Sequence, residues 1–395
     1  MRKLFAWLLV VLMVFAVVAC DKKPAEPSDS TPAEPSMTEP TPAGSDMPEP
    51  SDSKPEKKVY SVVHLVNGNL GDKSFFDSAN SGLKALEAEG RITLKTIEMG
   101  GSDNDKPKWQ ENLNEVAESK LYDLVICGTY QMPDFLKEAA TQYPDQKFLI
   151  YDDTTYVGEN ENVVNVSYKQ NDMGYLIGVF AASMTSKTDV KNINPEKVVG
   201  FIGGIDSPVI NDFLYGFLTG VKATDPEVKV DTRYVNSYVD TATAKEMGIS
   251  MINDKKCDIL WGVAGLSGNG GAEAALETGK AWFIGVDSDQ ELTLSDELSA
   301  ITLTSGLKNV GNSLIWIFDE WDAGRTYWGK EVNLGLAEGG VGFVSDKNFK
   351  NIAPQDVQDK VLAAEKAVRD KEIMVPSAIG DETNGVIALR DEMQP

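Results

Sequence analysis

Short apolar runs alternate with amphipathic stretches along this chain, and the alternation occurs in two separate series. The apolar runs of the first series predict strands at 59–66, 92–99, 122–127, 147–151 and 163–168. The amphipathic stretches between them predict helices at 73–89, 107–120 and 132–142. Strands that alternate with helices form a parallel sheet with helices on both faces. The first series therefore predicts one α/β lobe.

A second series of the same kind begins near residue 198. Its predicted strands lie at 198–204, 228–235, 257–263 and 281–286, and its predicted helices at 207–223, 240–253 and 270–279. A strand at 300–305 and a long helix at 307–324 follow, with too little chain beyond them for a third domain. We therefore predict two lobes between which the chain crosses more than once. Because ligands of such sheets bind beyond the carboxyl ends of the strands, the crevice between the lobes is the predicted functional site.

The first 20 residues have the layout of a bacterial lipoprotein signal. Arg2 and Lys3 precede an apolar run of 16 residues, which is shorter than the roughly 20 residues of a membrane-spanning helix. We predict a signal peptide at 1–19. The positions VVAC (17–20) resemble a lipobox, in which Cys20 would be lipidated and become the new N-terminus. An ordinary signal peptide followed by an incidental cysteine is the alternative.

Residues 20–58 are rich in Pro, Ser and Glu and are nearly free of large apolar side chains. Such a segment cannot bury enough surface to offset the chain entropy that ordering would remove. We predict an extended, disordered linker, anchored by the lipid on Cys20. The folded part would then begin at Val59, and its remaining length suggests two domains.

The net charge excludes one large class of partner. The formal charge of the chain is −24, and loss of the signal peptide with its two cations makes it −26. Nucleic-acid binding requires a basic surface, so no nucleic-acid partner is expected. Cys127 and Cys257 lie in apolar runs, which predicts two buried free thiols rather than a disulfide.

Few residues support a catalytic function. The one histidine, His64, alternates with apolar residues inside a predicted strand, so a satisfied core histidine is a better interpretation than a catalytic base. The chain lacks the GxSxG, HExxH, CxxC and P-loop patterns. GGSDND (100–105) lacks the spacing of a calcium loop, and we expect it to be solvated. Adjacent carboxylates such as Asp152 and Asp153 are expected by chance among 61 acidic residues. We predict no cofactor and no metal.

Two adjacent phenylalanines in GDKSFF (71–76) pose the question of which one is core. If a helix begins after Asp72, the predicted buried stripe consists of Phe76, Ala79, Leu83 and Leu86. Phe75 is then turned about 100° away, toward the crevice beyond the preceding strand. Asp72 and Ser74 can either cap the helix or bind a ligand. A partly exposed packing role for Phe75 is the alternative.

The second lobe has an aromatic residue at a similar strand-to-helix corner, Tyr238. Two aromatic rings that face each other across a cleft would clamp a flat ligand ring. Other predicted strands are followed by polar or small residues, namely Asp152, the loop 264–271, Asp287 and Lys308. The carboxylates would accept hydrogen bonds from a sugar diol, and Lys308 would donate to oxygen atoms. Taken singly, each of these residues is also compatible with a role as a cap or a turn residue.

Four motifs resemble those of the basic membrane protein family of bacterial lipoproteins. They are GDKSF (71–75), VAGLSGNGG (263–271), IGVDSDQ (284–290) and LTSGLK (303–308). The resemblance runs from about Val59 to near Pro376, with the motifs in the family's order. It implies a type I periplasmic-binding fold, with two doubly wound Rossmann-like lobes joined by a three-strand hinge. It also implies a substrate-binding component of an ABC transporter for purine nucleosides.

The resemblance assigns roles to the residues at the predicted strand ends. It implies that Phe75 and Tyr238 stack on the base, that Asp72 contacts the base side, and that the backbone at Gly265 approaches the ligand. The positions that it associates with the ribose hydroxyls are Asp152, Asp287 and Lys308. The chain departs from the family at Phe76-Asp77, where Asn-Gln is frequent. We expect either that Asp77 reads part of the base or that the base preference differs.

These observations predict an extracytoplasmic solute-binding lipoprotein on the cell membrane. Its two lobes would close on a nucleoside and deliver it to an ABC permease, with no reaction catalysed. The protein is expected to be a monomer. The predicted first lobe comprises 59–168 plus 290–328, and the second comprises 169–289 plus 329–395. A surface enzyme that processes nucleosides or glycans is one alternative. A signalling or adhesion lipoprotein that kept the fold without a ligand is another.

Overall fold

The computed structural model describes residues 58–153, 158–380 and 383–395. The predicted signal peptide (1–19), the lipidation site Cys20 and the linker up to residue 57 lie outside the described residues. The twofold series of strands and helices predicted from the sequence is confirmed in the part that the structure describes. No helix of that part has the length and apolar character needed to cross a bilayer.

The strands follow the two predicted series closely. Those of the first series are β1 (Tyr60–Val66), β2 (Ile92–Glu98), β3 (Leu124–Gly128), β4 (Lys147–Tyr151) and β5 (Val163–Tyr168). Those that follow are β6 (Val198–Gly203), β7 (Lys229–Tyr234), β8 (Cys257–Val263), β9 (Trp282–Asp287), β10 (Thr302–Lys308), β11 (Glu331–Leu334) and β12 (Val341–Phe343). Central strands such as β3 and β5 are buried along their whole length, because helices cover both faces of a parallel sheet.

Helices connect these strands. Those up to the middle of the chain are α1 (Phe75–Ala88), α2 (Lys106–Ser119), α3 (Pro133–Gln142), α4 (Gln170–Thr185), α5 (Pro208–Thr224) and α6 (Thr241–Asp254). Those that follow are α7 (Asn269–Thr278), α8 (Gln290–Thr293), α9 (Asp296–Ser299), α10 (Val310–Asp322), α11 (Lys347–Ile352), α12 (Gln355–Arg369) and α13 (Thr383–Met393). Side-chain caps stabilise the first turns of two of these helices. The Ser207 side chain caps α5 ahead of Pro208, and the Asp240 side chain caps α6.

The strands form two six-stranded sheets, one in each lobe. The first sheet has the order β11-β5-β4-β3-β1-β2, and all of its pairs are parallel. The second has the order β12-β10-β9-β8-β6-β7, in which β12 pairs antiparallel with β10. The prediction of two doubly wound α/β lobes is confirmed.

The predicted lobe boundaries are wrong in two places. The segment 290–328 was assigned to the first lobe, but β10 pairs in parallel with β9 in the second sheet. The segment from 329 onward was assigned to the second lobe, but β11 pairs with β5 in the first sheet. Apolar periodicity identifies a strand without indicating its sheet. Consecutive parallel strands tend to be neighbours, and the short helices α8 and α9 bring β10 back beside β9.

Three segments join the lobes, and they lie side by side. The chain leaves β5 through Lys169, leaves β10 through Asn309, and passes from β11 to β12 through 335–340. The backbone N–H of Lys169 donates to Leu334 O at 3.0 Å, and that of Asn309 donates to Gly340 O at 2.9 Å. The three-strand hinge expected from the resemblance is thus visible in the backbone bonds.

Close helix packing fixes each lobe around its sheet. In the second lobe α4 is almost completely buried against α5, and a Cβ atom at Gly178 would lie 2.2 Å from Phe217 O. In the first lobe α10 packs on α1, where a Cβ atom at Gly82 would lie 2.3 Å from Gly311 O. No other residue type permits backbones to approach this closely. Helix α10, which belongs to the segment 290–328, therefore packs on the first lobe, for which that segment was predicted.

Candidate functional site

A cavity between the lobes lies at the carboxyl ends of strands from both sheets. It contains about 780 Å³ of space not filled by atoms, including its mouth. Seven of the eight predicted ligand residues line it: Asp72, Phe75, Asp152, Tyr238, Gly265, Asp287 and Lys308. The rule that ligands of parallel sheets bind beyond strand ends accounts for this convergence.

The two phenylalanines both reach the cavity, but their predicted roles are partly wrong. Because α1 begins at Phe75, the buried stripe consists of Phe75, Ala79, Leu83 and Leu86. Phe75 is 9% exposed and its ring packs 5.5 Å from the ring of Tyr151. Phe76 is half-buried rather than core, and its ring lies over Gly68, where a Cβ atom would be 2.3 Å away. Either residue completes a helical stripe, so periodicity alone could not choose between them.

The turn that opens α1 is organised by two carboxylates. Asp72 accepts hydrogen bonds from the backbone N–H groups of Ser74, Phe76 and Asp77. The Asp77 carboxylate accepts from the N–H groups of Gly71 and Lys73, at 2.8 and 2.9 Å. Asp77 does not line the cavity, and it meets the predicted ligand residue Asp72 only in the turn, where its backbone N–H donates to the Asp72 carboxylate. Its side chain shapes the turn that aims Phe75 instead.

Tyr238 forms the opposite wall with a residue that the sequence did not indicate. Its hydroxyl lies 3.0 Å from the hydroxyl of Tyr130, which follows β3 in the first lobe. The carbonyl of Tyr238 accepts the N–H of Ser267, which ties it to the loop after β8. In that loop Gly265 has φ +54° and passes close to Tyr238. Burial raises the pKa of the Tyr238 hydroxyl, so this group stays protonated.

A buried ion pair crosses the cavity from one lobe to the other. Lys308 Nζ, at the end of β10, lies 2.6 Å from Asp152 Oδ1, directly after β4. Lys308 is 2% exposed. Its ammonium also lies 4.6 Å from the ring centre of Phe213 and 5.5 Å from that of Phe75. Burial raises the pKa of Asp152 while Lys308 opposes that rise.

Asp287, at the end of β9, is the second buried carboxylate of the cavity. Its Oδ1 atom has no hydrogen-bond partner among the described residues. Burial raises the pKa of Asp287 to about 7; Lys308 lowers it, and Asp152 and Asp72 raise it further. Asp152 and Asp287 both have left-handed backbones, with φ +66° and +64°. A buried acceptor without a partner destabilises the protein until a ligand supplies a donor.

The charges lining the cavity favour neutral, hydroxyl-rich ligands. Asp72, Asp152 and Asp287 are opposed by one ammonium, that of Lys308. An anionic ligand would therefore be repelled, whereas hydroxyl groups can donate to the carboxylates. The aromatic side chains of Phe75 and Tyr238, one from each lobe, both line the cavity.

Sequence reasoning missed several residues of the cavity wall. Asn67 follows β1 and Thr129 follows β3, so the strand-end rule could have found both; Asn67 Nδ2 donates to Thr129 Oγ1 at 2.7 Å. Tyr130 follows the same strand. Phe213 lies within α5, a helix that is mostly buried, and no sequence signal separated it from ordinary core residues.

Histidine and cysteine, which enzymes often use as catalytic base and nucleophile, lie outside the cavity in the described residues. His64 is completely buried in β1, with Nε2 2.8 Å from the Tyr151 hydroxyl, and burial lowers its pKa to about 3. Cys127 and Cys257 are buried free thiols, as predicted. Burial raises the pKa of both thiols. None of the three lines the cavity.

The sequence of the chain matches a known protein family over most of its length. A profile described as ABC transporter substrate-binding protein PnrA-like (Bmp) matches residues 59–378, most of the chain. The chain belongs to this family. The chain is also similar to basic membrane protein A of Borreliella burgdorferi, with 32% identity over 326 residues, which are 81% of this chain and 88% of that protein.

A second Bmp relative carries a functional name. The "ABC transporter nucleoside-binding protein BmpA" of Lactococcus lactis subsp. cremoris is 30% identical over 329 residues, which are 80% of this chain and 88% of that protein. The resemblance predicted from four motifs is therefore confirmed. As a Bmp protein, this chain is an extracytoplasmic substrate-binding component of an ABC transporter.

Solved structures agree on the fold. An ABC transporter solute-binding protein of Aeropyrum pernix K1 superposes with a TM-score of 0.69 at 23% identity, over 85% of this chain and 99% of that one. Another from Conexibacter woesei gives 0.64 at 22% identity, over 82% and 100%. The type I periplasmic-binding fold predicted for the Bmp chain is confirmed.

Proposed function

We propose that the protein captures a nucleoside, with a preference for purines, in the cavity between its lobes. The base would stack between Phe75 and Tyr238, and the ribose hydroxyls would bind Asp152, Asp287 and Lys308. The observation that carries the proposal is that the two rings come from opposite lobes and line one cavity, beside the unpartnered Asp287 Oδ1. The name of the Lactococcus relative supports the same ligand class.

The proposed contacts are strong enough for tight capture. Stacking contributes about 1–3 kcal/mol per aromatic ring in single-strand nucleic-acid binders. Hydrogen bonds to charged groups contribute about 1.5–3 kcal/mol each. Two rings and three such bonds, less the cost of immobilising the ligand, are compatible with a sub-micromolar dissociation constant.

Delivery and anchoring complete the proposal. The closed protein would dock on the permease of an ABC transporter, and a lipid on Cys20 would keep it at the membrane. The expected spacer at 20–58 would give the folded part freedom to reach the permease. Mass spectrometry of the protein from its native host tests the anchor, because lipidation at Cys20 removes residues 1–19 and adds acyl mass.

Titration calorimetry with inosine and guanosine tests the ligand. We expect sub-micromolar binding to the wild type and at least tenfold weaker binding to Phe75→Ala. Phe318→Ala, which removes a buried ring of the first lobe that does not line the cavity, controls for general loss of packing. Binding of ribose or free bases as tight as that of nucleosides would contradict a site that reads both halves of the ligand.

A further inference from the structure

Two side chains of the second lobe that lie outside the ligand cavity bond to the turn before α1. The carbonyl groups of Asp72, Lys73 and Ser74 all face side chains of the second lobe. Ser288 Oγ donates to Ser74 O at 2.8 Å, and Thr293 Oγ1 donates to Lys73 O at 2.9 Å. Lys73 has a left-handed backbone (φ +62°), within the same turn. Neither Ser288 nor Thr293 lines the cavity.

Two longer contacts extend the same interface. Asn269 Nδ2 lies 3.4 Å from Asp72 O, and Gln290 Nε2 lies 3.5 Å from Lys73 O. Gln290 is 1% exposed, its Oε1 accepts from Val286 N, and its Nε2 donates to Asn269 Oδ1. The second lobe therefore holds these amides in position through its own bonds, independently of the first lobe.

We propose that Ser288 and Thr293, supported by Asn269 and Gln290, form a latch that keeps the lobes closed and sets the rate of ligand release. The proposal rests on the proposed function for the identity of the ligand. The turn that the latch grips is the same one that aims Phe75 into the cavity, because Asp72 caps α1 at its first turn. The latch bonds to Ser74, the residue before Phe75, whose ring is proposed to stack on the ligand. Its own residues Ser288 and Thr293 do not line the cavity.

The kinetic consequence follows from where the latch bonds exist. They join the two lobes, and we expect rotation of the lobes apart to break them, so that an encounter with the open protein would not use them. Interactions present only in the closed state slow dissociation and leave association nearly unchanged. Ser288 and Thr293 are positioning residues in this sense.

Stopped-flow displacement of inosine by excess guanosine, followed by intrinsic fluorescence, tests the latch. We expect Thr293→Val and Ser288→Ala each to raise the release rate about fivefold and the double variant about twentyfold, with association within twofold of wild type. Thr293→Ser should restore slow release, because it keeps the hydroxyl. Thr278→Val is the matched control, since its hydroxyl bonds to Ala274 O within α7.

A second readout separates failure of the latch from failure of the ligand assignment. Spin labels at Lys84→Cys and Glu277→Cys, both exposed and on opposite lobes, report the interlobe distance with and without nucleoside. The latch predicts a smaller closed fraction in the double variant in either condition. Absence of nucleoside binding by the wild type would overturn the ligand alone. Identical distance distributions and identical release rates in wild type and double variant would overturn the latch.

Discussion

Asp152 and Asp287 occupy comparable places in the two lobes but differ in their partners. Each stands at the carboxyl end of a strand, each is buried and each has φ near +65°. Asp152 is bound to Lys308 across the cleft, whereas Asp287 Oδ1 has no partner among the described residues. Under the proposed function, Asp152 would hold the lysine in place beside the ribose, and Asp287 would offer its unpartnered Oδ1 atom to the ligand.

Removal of Lys308, the partner of Asp152, should have the largest effect on both stability and ligand affinity. Lys308→Met leaves Asp152 buried without its cation, and breaking a buried pair in this way costs about 3–5 kcal/mol. We expect that loss of stability in urea unfolding and a dissociation constant for inosine raised more than a hundredfold. The double variant Lys308→Met/Asp152→Asn should recover most of the stability and none of the affinity. Equal stability of the single and double variants would show that the pair is not coupled.

Asp287 should behave in the opposite way. Asp287→Ala is expected to weaken inosine binding at least tenfold in calorimetry, because a charged acceptor for the ribose is lost. The ligand-free protein should unfold at the same temperature or above, since an unsatisfied buried carboxylate is removed. Asp289→Ala is the control: this neighbour pairs with Lys347 outside the cavity, and we expect binding within twofold of wild type.

The raised pKa of Asp287 predicts a pH dependence of affinity. The pKa is about 7 without ligand, and the ionised carboxylate is the better acceptor, so protonation competes with binding. Inosine affinity should fall about tenfold between pH 8 and pH 6. The charged groups that face Asp287 are Lys308, Asp152 and Asp72. A pH profile of Asp287→Asn as steep as that of wild type would assign the dependence to one of these groups instead.

The same titration has a smaller consequence for stability. A carboxyl whose folded pKa lies above its unfolded value contributes stability below the unfolded pKa and loses it as pH rises through the folded pKa. For Asp287 this window runs from about 4 to about 7. Thermal unfolding without ligand should therefore show that Asp287→Asn stabilises the protein more at pH 8 than at pH 5. A stabilisation independent of pH would contradict the assignment.

Strand ends were the features that the sequence predicted best. They brought Asp152, Tyr238, Asp287 and Lys308 to one place, because the position of a residue after a parallel strand determines the edge of the sheet on which it lies. The choice between Phe75 and Phe76 failed because it depends on where the first helical turn is capped. Asp77, a departure from the family pattern, was expected either to read part of the base or to signal a different base preference, but its carboxylate accepts hydrogen bonds within the turn.

Features that depend on tertiary arrangement could not be predicted. The sheet that receives β10 is decided by the short connection from β9, and the apolar pattern carries no such information. Phe213 reaches the cavity from inside α5 without any polar neighbour to mark it. The interlobe bonds of Tyr130 and Thr293 join positions far apart in the chain, where spacing gives no signal.

The position of Lys308 has a mechanical consequence. The next residue, Asn309, lies in one of the three segments that join the lobes. Lys308 is therefore near the axis of any rotation that separates the two lobes. Atoms close to a rotation axis travel short arcs when the two lobes swing apart. The contact between Lys308 and Asp152 would therefore persist through much of the opening motion. This charged pair would then already be in place when a solute enters the open protein.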